Sequence, residues 1–156
     1  MSTRYDEGDV VATPDGRGVV AAVLTESFEF PQADDATTSV DASTDRPGHV
    51  VGLETGGSAV YRVSGLEASS FDDGPERTDT DGERLTTVVD EPVDGLDDLP
   101  EGWDRESVLS FWSSVGGSWE AAVDDLREEF GEDRAKRFAS AMKDEILRTE
   151  RWRNRF

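Results

Sequence analysis

Cysteine is absent, histidine occurs once, as His49, and lysine only twice, as Lys136 and Lys143, in 156 residues. Without thiols there is no disulfide, no thiolate nucleophile and no Cys-based zinc site. One imidazole, opening a strand with no carboxylate or second His beside it in sequence, is a poor start for a catalytic triad and reads as a surface or edge residue. Long apolar runs are missing too. The longest, Val19 to Leu24, spans six residues, against the ~20 that a membrane-crossing helix needs. The first residues, MSTRYDEGDVV, do not have the charged-then-apolar order of a signal peptide. The expected location is therefore the cytoplasm, or the outside only by a route that needs no signal peptide, with no membrane partner.

Positive charge is the other scarcity. Asp and Glu number 36 against 16 Lys and Arg, a net charge of −20, and hydrophobic residues make up only 35%. Short carboxylates in this density repel one another, and a folded chain tolerates them best where salt screens them; at molar salt the Debye length is about 3 Å. The composition points to the cytoplasm of an extreme halophile. A disordered acidic tail is the competing reading, and four Trp and seven Phe speak against it.

What is present divides the chain in three, an α+β arrangement. Residues 1–71 read as β. Asp9 to Thr13 and Val19 to Phe30 flank the turn-forming Pro14-Asp15-Gly16-Arg17-Gly18, and His49 to Glu54 and Ser58 to Val63 flank Thr55-Gly56-Gly57, a hairpin turn. Ser64 to Ala68 suits one helical turn, with Leu66 as a plug. Short strands in this number suggest a small SH3-like barrel, with residues 31–48, rich in Asp, Ser and Thr, as a long polar loop. Residues 72–101 hold 12 acids, two Arg, three Pro and three Gly, the composition of a solvated acidic linker. Its one β-prone island, 85–89, could return to the sheet or add to an edge. Residues 102–156 switch to a 3.6 period. Val108, Phe111, Trp112 and Val115 form a first stripe behind Asp104; Trp119, Ala122, Val123, Leu126 and Phe130 a second behind Ser118; Ala135, Phe138, Ala139, Met142 and Ile146 a third behind Asp133. Gly116-Gly117 and Gly131 end the first two, giving a three-helix module.

Chemistry-bearing patterns are few. Gly16-x-Gly18-x-x-Ala21 has the letters of a dinucleotide fingerprint, but a strand follows it where a helix is required. The Asp34-Asp35, Asp72-Asp73 and Asp97-Asp98 pairs lack the spacing of a calcium loop, and no cofactor or metal is called for. Phe28, Phe30 and Tyr61 could line a groove, although a barrel this small needs some of them as core. The sharpest signal is the tail. Residues 132–156 carry eight Arg and Lys against five acids, net +3, while the preceding 131 carry −23. Arg148, Arg151, Arg153 and Arg155 there interleave with Trp152 and Phe156, a composition suited to an interface hot spot or to stacking on single strands. These six are the candidate binding residues; packing of Trp152 back on the helices is the structural alternative.

Two stretches, Gly8-Asp-Val-Val-Ala-Thr-Pro-Asp-Gly-Arg-Gly-Val with Ser58-Ala-Val-Tyr-Arg-Val, and Ala135-Lys-Arg-Phe with Met142-Lys-Asp-Glu and Thr149-Glu-Arg-Trp-Arg-Asn-Arg-Phe, resemble a group of small acidic proteins of haloarchaeal tailed viruses and proviruses. The resemblance covers roughly residues 5–71 and 103–156. It implies a viral or proviral setting, among virion-morphogenesis components, and carries over no catalytic or binding residues. The expected function is a non-enzymatic adaptor with a protein partner. The alternative is a nucleic-acid-associated regulator acting through the tail, disfavoured for the β part because residues 1–71 hold four Arg and no Lys, too few to neutralise a run of phosphates.

Overall fold

The computed structural model describes residues 5–31, 37–70, 74, 76–78, 84–86, 88, 99 and 102–147. Among the described residues, seven strands and a 3-10 turn precede three helices. The strands are β1 (Val10–Thr13), β2 (Gly16–Leu24), β3 (Phe28–Pro31), β4 (Thr37–Val40), β5 (Gly48–Leu53), β6 (Ser58–Arg62) and β7 (Glu67–Ala68); the helices are α1 (Arg105–Ser114), α2 (Trp119–Phe130) and α3 (Glu132–Leu147). The chain is thus α+β, with antiparallel strand pairing and a helical C-terminal part.

Pro14 and Asp15 turn the chain between β1 and β2, and the Thr13 hydroxyl holds that turn by donating to Gly16 O at 2.8 Å and accepting from Asp15 N–H at 3.0 Å. Five strands lie in the order β6-β5-β2-β1-β7, and β3 and β4 form a separate pair. The sheet is therefore open, a correction to the expected closed barrel. Its end strands do not meet: β7 has only two residues, and the outer edge of β6 is bonded instead by residues 84–86. A second correction concerns 31–48. Thr37–Val40, β-branched at three of its four positions, pairs with Phe28–Pro31, and Val40 and Ala42 are buried. β-branched side chains favour the pleated strand even in a polar segment. The helical turn expected over Ser64 to Ala68 is a shorter 3-10 turn one residue earlier, Val63–Gly65, because Glu67–Ala68 pairs with β1 as β7; Leu66 between them is buried.

The sheet is apolar on both faces, which is why Val19–Leu24 reads as a continuous hydrophobic run. Val19 belongs to the core shared with the helices, whereas Val11, Val20, Val51, Leu53 and Tyr61 fill the opposite cluster. A register irregularity between Val20 and Ala22 shifts the alternation, so that Val23 packs in the same cluster as Val20.

The helices form where the periodicity places them. The Asp104 carboxylate accepts from Ser107 N–H at 2.9 Å and Ser118 Oγ from Ala121 N–H at 3.2 Å, both as N-caps. α3 differs. It begins at Glu132, directly after Gly131, whose carbonyl accepts from Ala135 N–H, so Asp133 lies inside the first turn and not before it. There its charge complements the helix dipole. In α1 the buried positions are Val108, Leu109 and Trp112, with Phe111 and the C-cap Val115 only partly covered; this helix meets both β2 and α3.

The Asp104 cap supplies a pH prediction. Its backbone hydrogen bond from Ser107, followed by that residue's hydroxyl, holds the carboxyl below its ordinary value. A depressed carboxylate contributes stability that is complete above the unfolded pKa of about 3.9 and is lost as pH falls through the folded one. Asp104→Asn, which keeps an acceptor at the cap, should flatten the acid limb of the unfolding curve relative to the parent at constant salt. An unchanged limb would show that the cap is not a source of acid sensitivity.

Candidate functional site

The sheet and helices meet along a seam with two fastenings. At one end Gly8, just before β1, lies against Gly116 and Gly117, which close α1. A Cβ on Gly8 would stand 2.4 Å from Gly116 C, and one on Gly117 would stand 2.6 Å from Gly8 N. Ser113 Oγ donates to Gly8 O at 2.7 Å. At the other end Arg105, the first residue of α1, donates to Leu53 O at 2.6 Å, Gly57 O at 2.8 Å and Ile146 O at 3.2 Å, and to Glu145 O. Its guanidinium also pairs with the Glu145 carboxylate at 3.3 Å.

Beside the glycine contact the seam opens into a cleft of about 610 Å³, within the usual range for ligand pockets. Both halves line it: Glu7 and Ala21 from the β part, Trp112 from α1, Trp119 from α2, Lys143 and Asp144 from α3. Trp119 is fixed by its Nε1–H, which donates to Ser140 Oγ at 3.3 Å. Glu7 and Lys143 face each other electrostatically. Burial pushes the Glu7 carboxyl up, against the opposing pull of Lys143, and burial pulls the Lys143 ammonium down, against Glu7 and Asp144. In each case desolvation outweighs the attraction of the partner.

Trp112 is 2% exposed, and its Nε1–H has no acceptor among the described residues. An unsatisfied buried donor offsets part of what the ring contributes. Trp112→Phe should therefore unfold within about 1 kcal/mol of the parent, whereas Trp112→Ala, which empties the space, should cost about 3–5 kcal/mol. Equal losses in denaturant titrations would mean that the indole nitrogen matters more than the ring.

The tail residues Arg148, Arg151, Trp152, Arg153, Arg155 and Phe156 lie outside the described residues, as do Asp34-Asp35, Asp72-Asp73 and Asp97-Asp98. Tyr61 is core, fully buried, with its hydroxyl donating to Asp15 at 2.8 Å. Phe28 is partly buried against the cluster of Val40, Val50 and Val60. Gly16 and Gly18 sit in the β1–β2 hairpin: a Cβ on Gly18 would come within 2.2 Å of Gly52 O, so its role is close strand packing, whereas Gly16, at φ +128° with nothing nearer than 3.9 Å to an added Cβ, serves the turn. His49 corrects the surface reading. It is fully buried on β5 and its Nε2 accepts from Tyr5 N–H at 3.1 Å, with the Tyr5 ring edge-on at 6.0 Å. The strand it opens is covered on both faces.

Glu7, Trp119 and Lys143 were not singled out from sequence as a site. One signal was available: Lys143 stands four residues after Ala139 and three before Ile146, inside the buried stripe of α3, where a lysine needs a reason. Nothing in the sequence links it to Glu7, 136 positions away. Comparison of the chain with protein-family models, curated proteins and solved structures finds no match.

Proposed function

We propose that this chain is a non-enzymatic adaptor of an extreme halophile, joining protein partners in the assembly of a viral or proviral particle, with a sheet of SH3-like descent. The strand order β6-β5-β2-β1-β7, with a 3-10 turn ahead of the short last strand, supports the SH3-like reading. The observation that carries the adaptor reading is the seam cleft, where Trp119 stands half-buried among Glu7, Lys143 and Asp144. An aromatic wall rimmed by polar groups is the composition of a protein-binding hot spot. At molar salt, exposed charge pairs are screened, so burial of the Trp119 ring is the contact that survives. The +3 tail supplies a second point of attachment in this reading. Among the described residues no helix is long and apolar enough to cross a membrane.

The test is recovery of the protein with its partners from native lysate or purified particles held at multimolar KCl. Trp119→Ala and, separately, the rim reversal Lys143→Glu should each cut partner recovery about tenfold, one decade being ~1.4 kcal/mol, while circular dichroism shows the fold intact. The parent found only as a free monomer, or equal recovery from folded variants, would overturn the adaptor reading.

A further inference from the structure

β6 ends the five-stranded sheet, yet Ser58, Ala59, Val60 and Tyr61 are fully buried. The cover comes from within the chain. Leu85 N–H donates to Val60 O at 2.7 Å, Val60 N–H donates to the Thr86 hydroxyl at 3.1 Å, and Arg84 stands opposite Tyr61 in an antiparallel bridge. Leu85 packs on the cluster that holds Val50 and Val60. Arg84 pairs with one Asp15 oxygen at 2.9 Å while the other Asp15 oxygen accepts from the Tyr61 hydroxyl.

This cover is short, buried at Thr86 and exposed at Arg84. A threonine hydroxyl stands where a paired strand would present a carbonyl, and the Arg84–Asp15 pair is 39% and 25% exposed, the kind of ion pair that contributes little. The edge itself offers what an added strand needs: main-chain groups on Val60, an apolar seat and a fixed carboxylate. We infer that the outer edge of β6 is a docking surface for an extended segment of a protein partner carrying a basic, an apolar and a hydroxyl residue in succession, and that Arg84-Leu85-Thr86 is its displaceable internal occupant. Strand addition draws affinity from the main chain and selectivity from the side-chain seats; here Asp15 selects the basic residue and the Val50–Val60 cluster the apolar one. This surface is separate from the seam cleft, so the two proposals fail independently.

The probe is the synthetic decapeptide GERLTTVVDE, the chain's own residues 82–91, titrated into ¹⁵N-labelled full-length protein at molar KCl. A tethered occupant competes at an effective concentration near millimolar. The peptide should therefore bind Leu85→Asp about tenfold or more tighter than the parent, with shifts at the amides of Ala59 to Arg62 and of Asp15. Adding Asp15→Asn should weaken that binding severalfold, and a peptide with its Arg replaced by Gln should not sense the change. If Leu85→Asp does not fold, the Arg84→Ala/Thr86→Ala variant carries the same comparison. Equal binding to parent and opened chains, or shifts elsewhere, overturns the proposal. A concentration-dependent dimer of the parent that Leu85→Asp abolishes also overturns it, assigning the edge to a second copy.

Discussion

Replacing Arg105 with methionine should lower the unfolding free energy by about 3–5 kcal/mol, the loss typical of removing one member of a buried ion pair. The side chains of Arg105 and Glu145 are 12% and 8% exposed, so without the guanidinium the Glu145 carboxylate stays in a site that water reaches poorly. Four carbonyls lose a donor at the same time. Two of them, on Glu145 and Ile146, belong to the last turn of α3, whose terminal carbonyls have no partner within the helix; the other two belong to the β5–β6 hairpin. Arg105 thus completes a helix end with a cation and ties it to the sheet in one step. Arg105→Lys should recover less than half of the loss, because one ammonium cannot reproduce a planar fork of donors. Arg127, half exposed in its pair with Asp124, is the control: Arg127→Ala should stay within about 0.5 kcal/mol of the parent. Denaturant titrations at fixed KCl read all three, and an Arg105→Met loss no larger than that of Arg127→Ala would show that the sheet and helices do not depend on this fastening.

Gly8→Ala should be comparably damaging, at about 3 kcal/mol or more, for a different reason. Gly8 has φ +90°, a conformation that costs an L-residue ~1–2 kcal/mol by itself. The added methyl would also meet the backbone of Gly116 and Gly117 at 2.4–2.7 Å, and backbone cannot turn aside as a side chain can. Relief requires the helices to lift from the sheet, opening the Glu7 side of the cleft. Gly116→Ala isolates the conformational part: φ is +69° but nothing lies within 4 Å of its Cβ, so the cost should be about 1 kcal/mol. Equal losses at the two positions would mean that the close approach contributes nothing. In the parent, Trp112 and Trp119 border this contact, so their fluorescence should report the lifting of Gly8→Ala before global unfolding.

The local elements were readable because each rests on near-neighbour chemistry. Asp104 and Ser118 cap the helices that the apolar stripes announce, and Gly131 ends α2. Thr55-Gly56-Gly57 turns the β5–β6 hairpin, and Leu85 and Thr86, the first two residues of the β-prone island, bond to β6. Thr37–Val40 is hidden in the sequence because its Asp- and Ser-rich surroundings read as loop, and its partner β3 supplies the pairing that makes it a strand.

Composition, spacing and caps by themselves determined three helices, the caps of the first two, most of the strands, and much of the apolar core. Those are properties of period and of residues within a few positions of one another. Only the tertiary structure decided that the sheet stays open, that His49 is interior, and that the two parts lock together. Gly117 reads in the sequence as a helix-stop glycine, and Gly8 and Arg105 carry no signal of their own there. Each acquired its larger role from a partner 40 to 109 positions away. Contacts at that separation leave no periodic trace in the chain, because what selects them is the shape and the unsatisfied carbonyls of surfaces that exist only once the elements have folded.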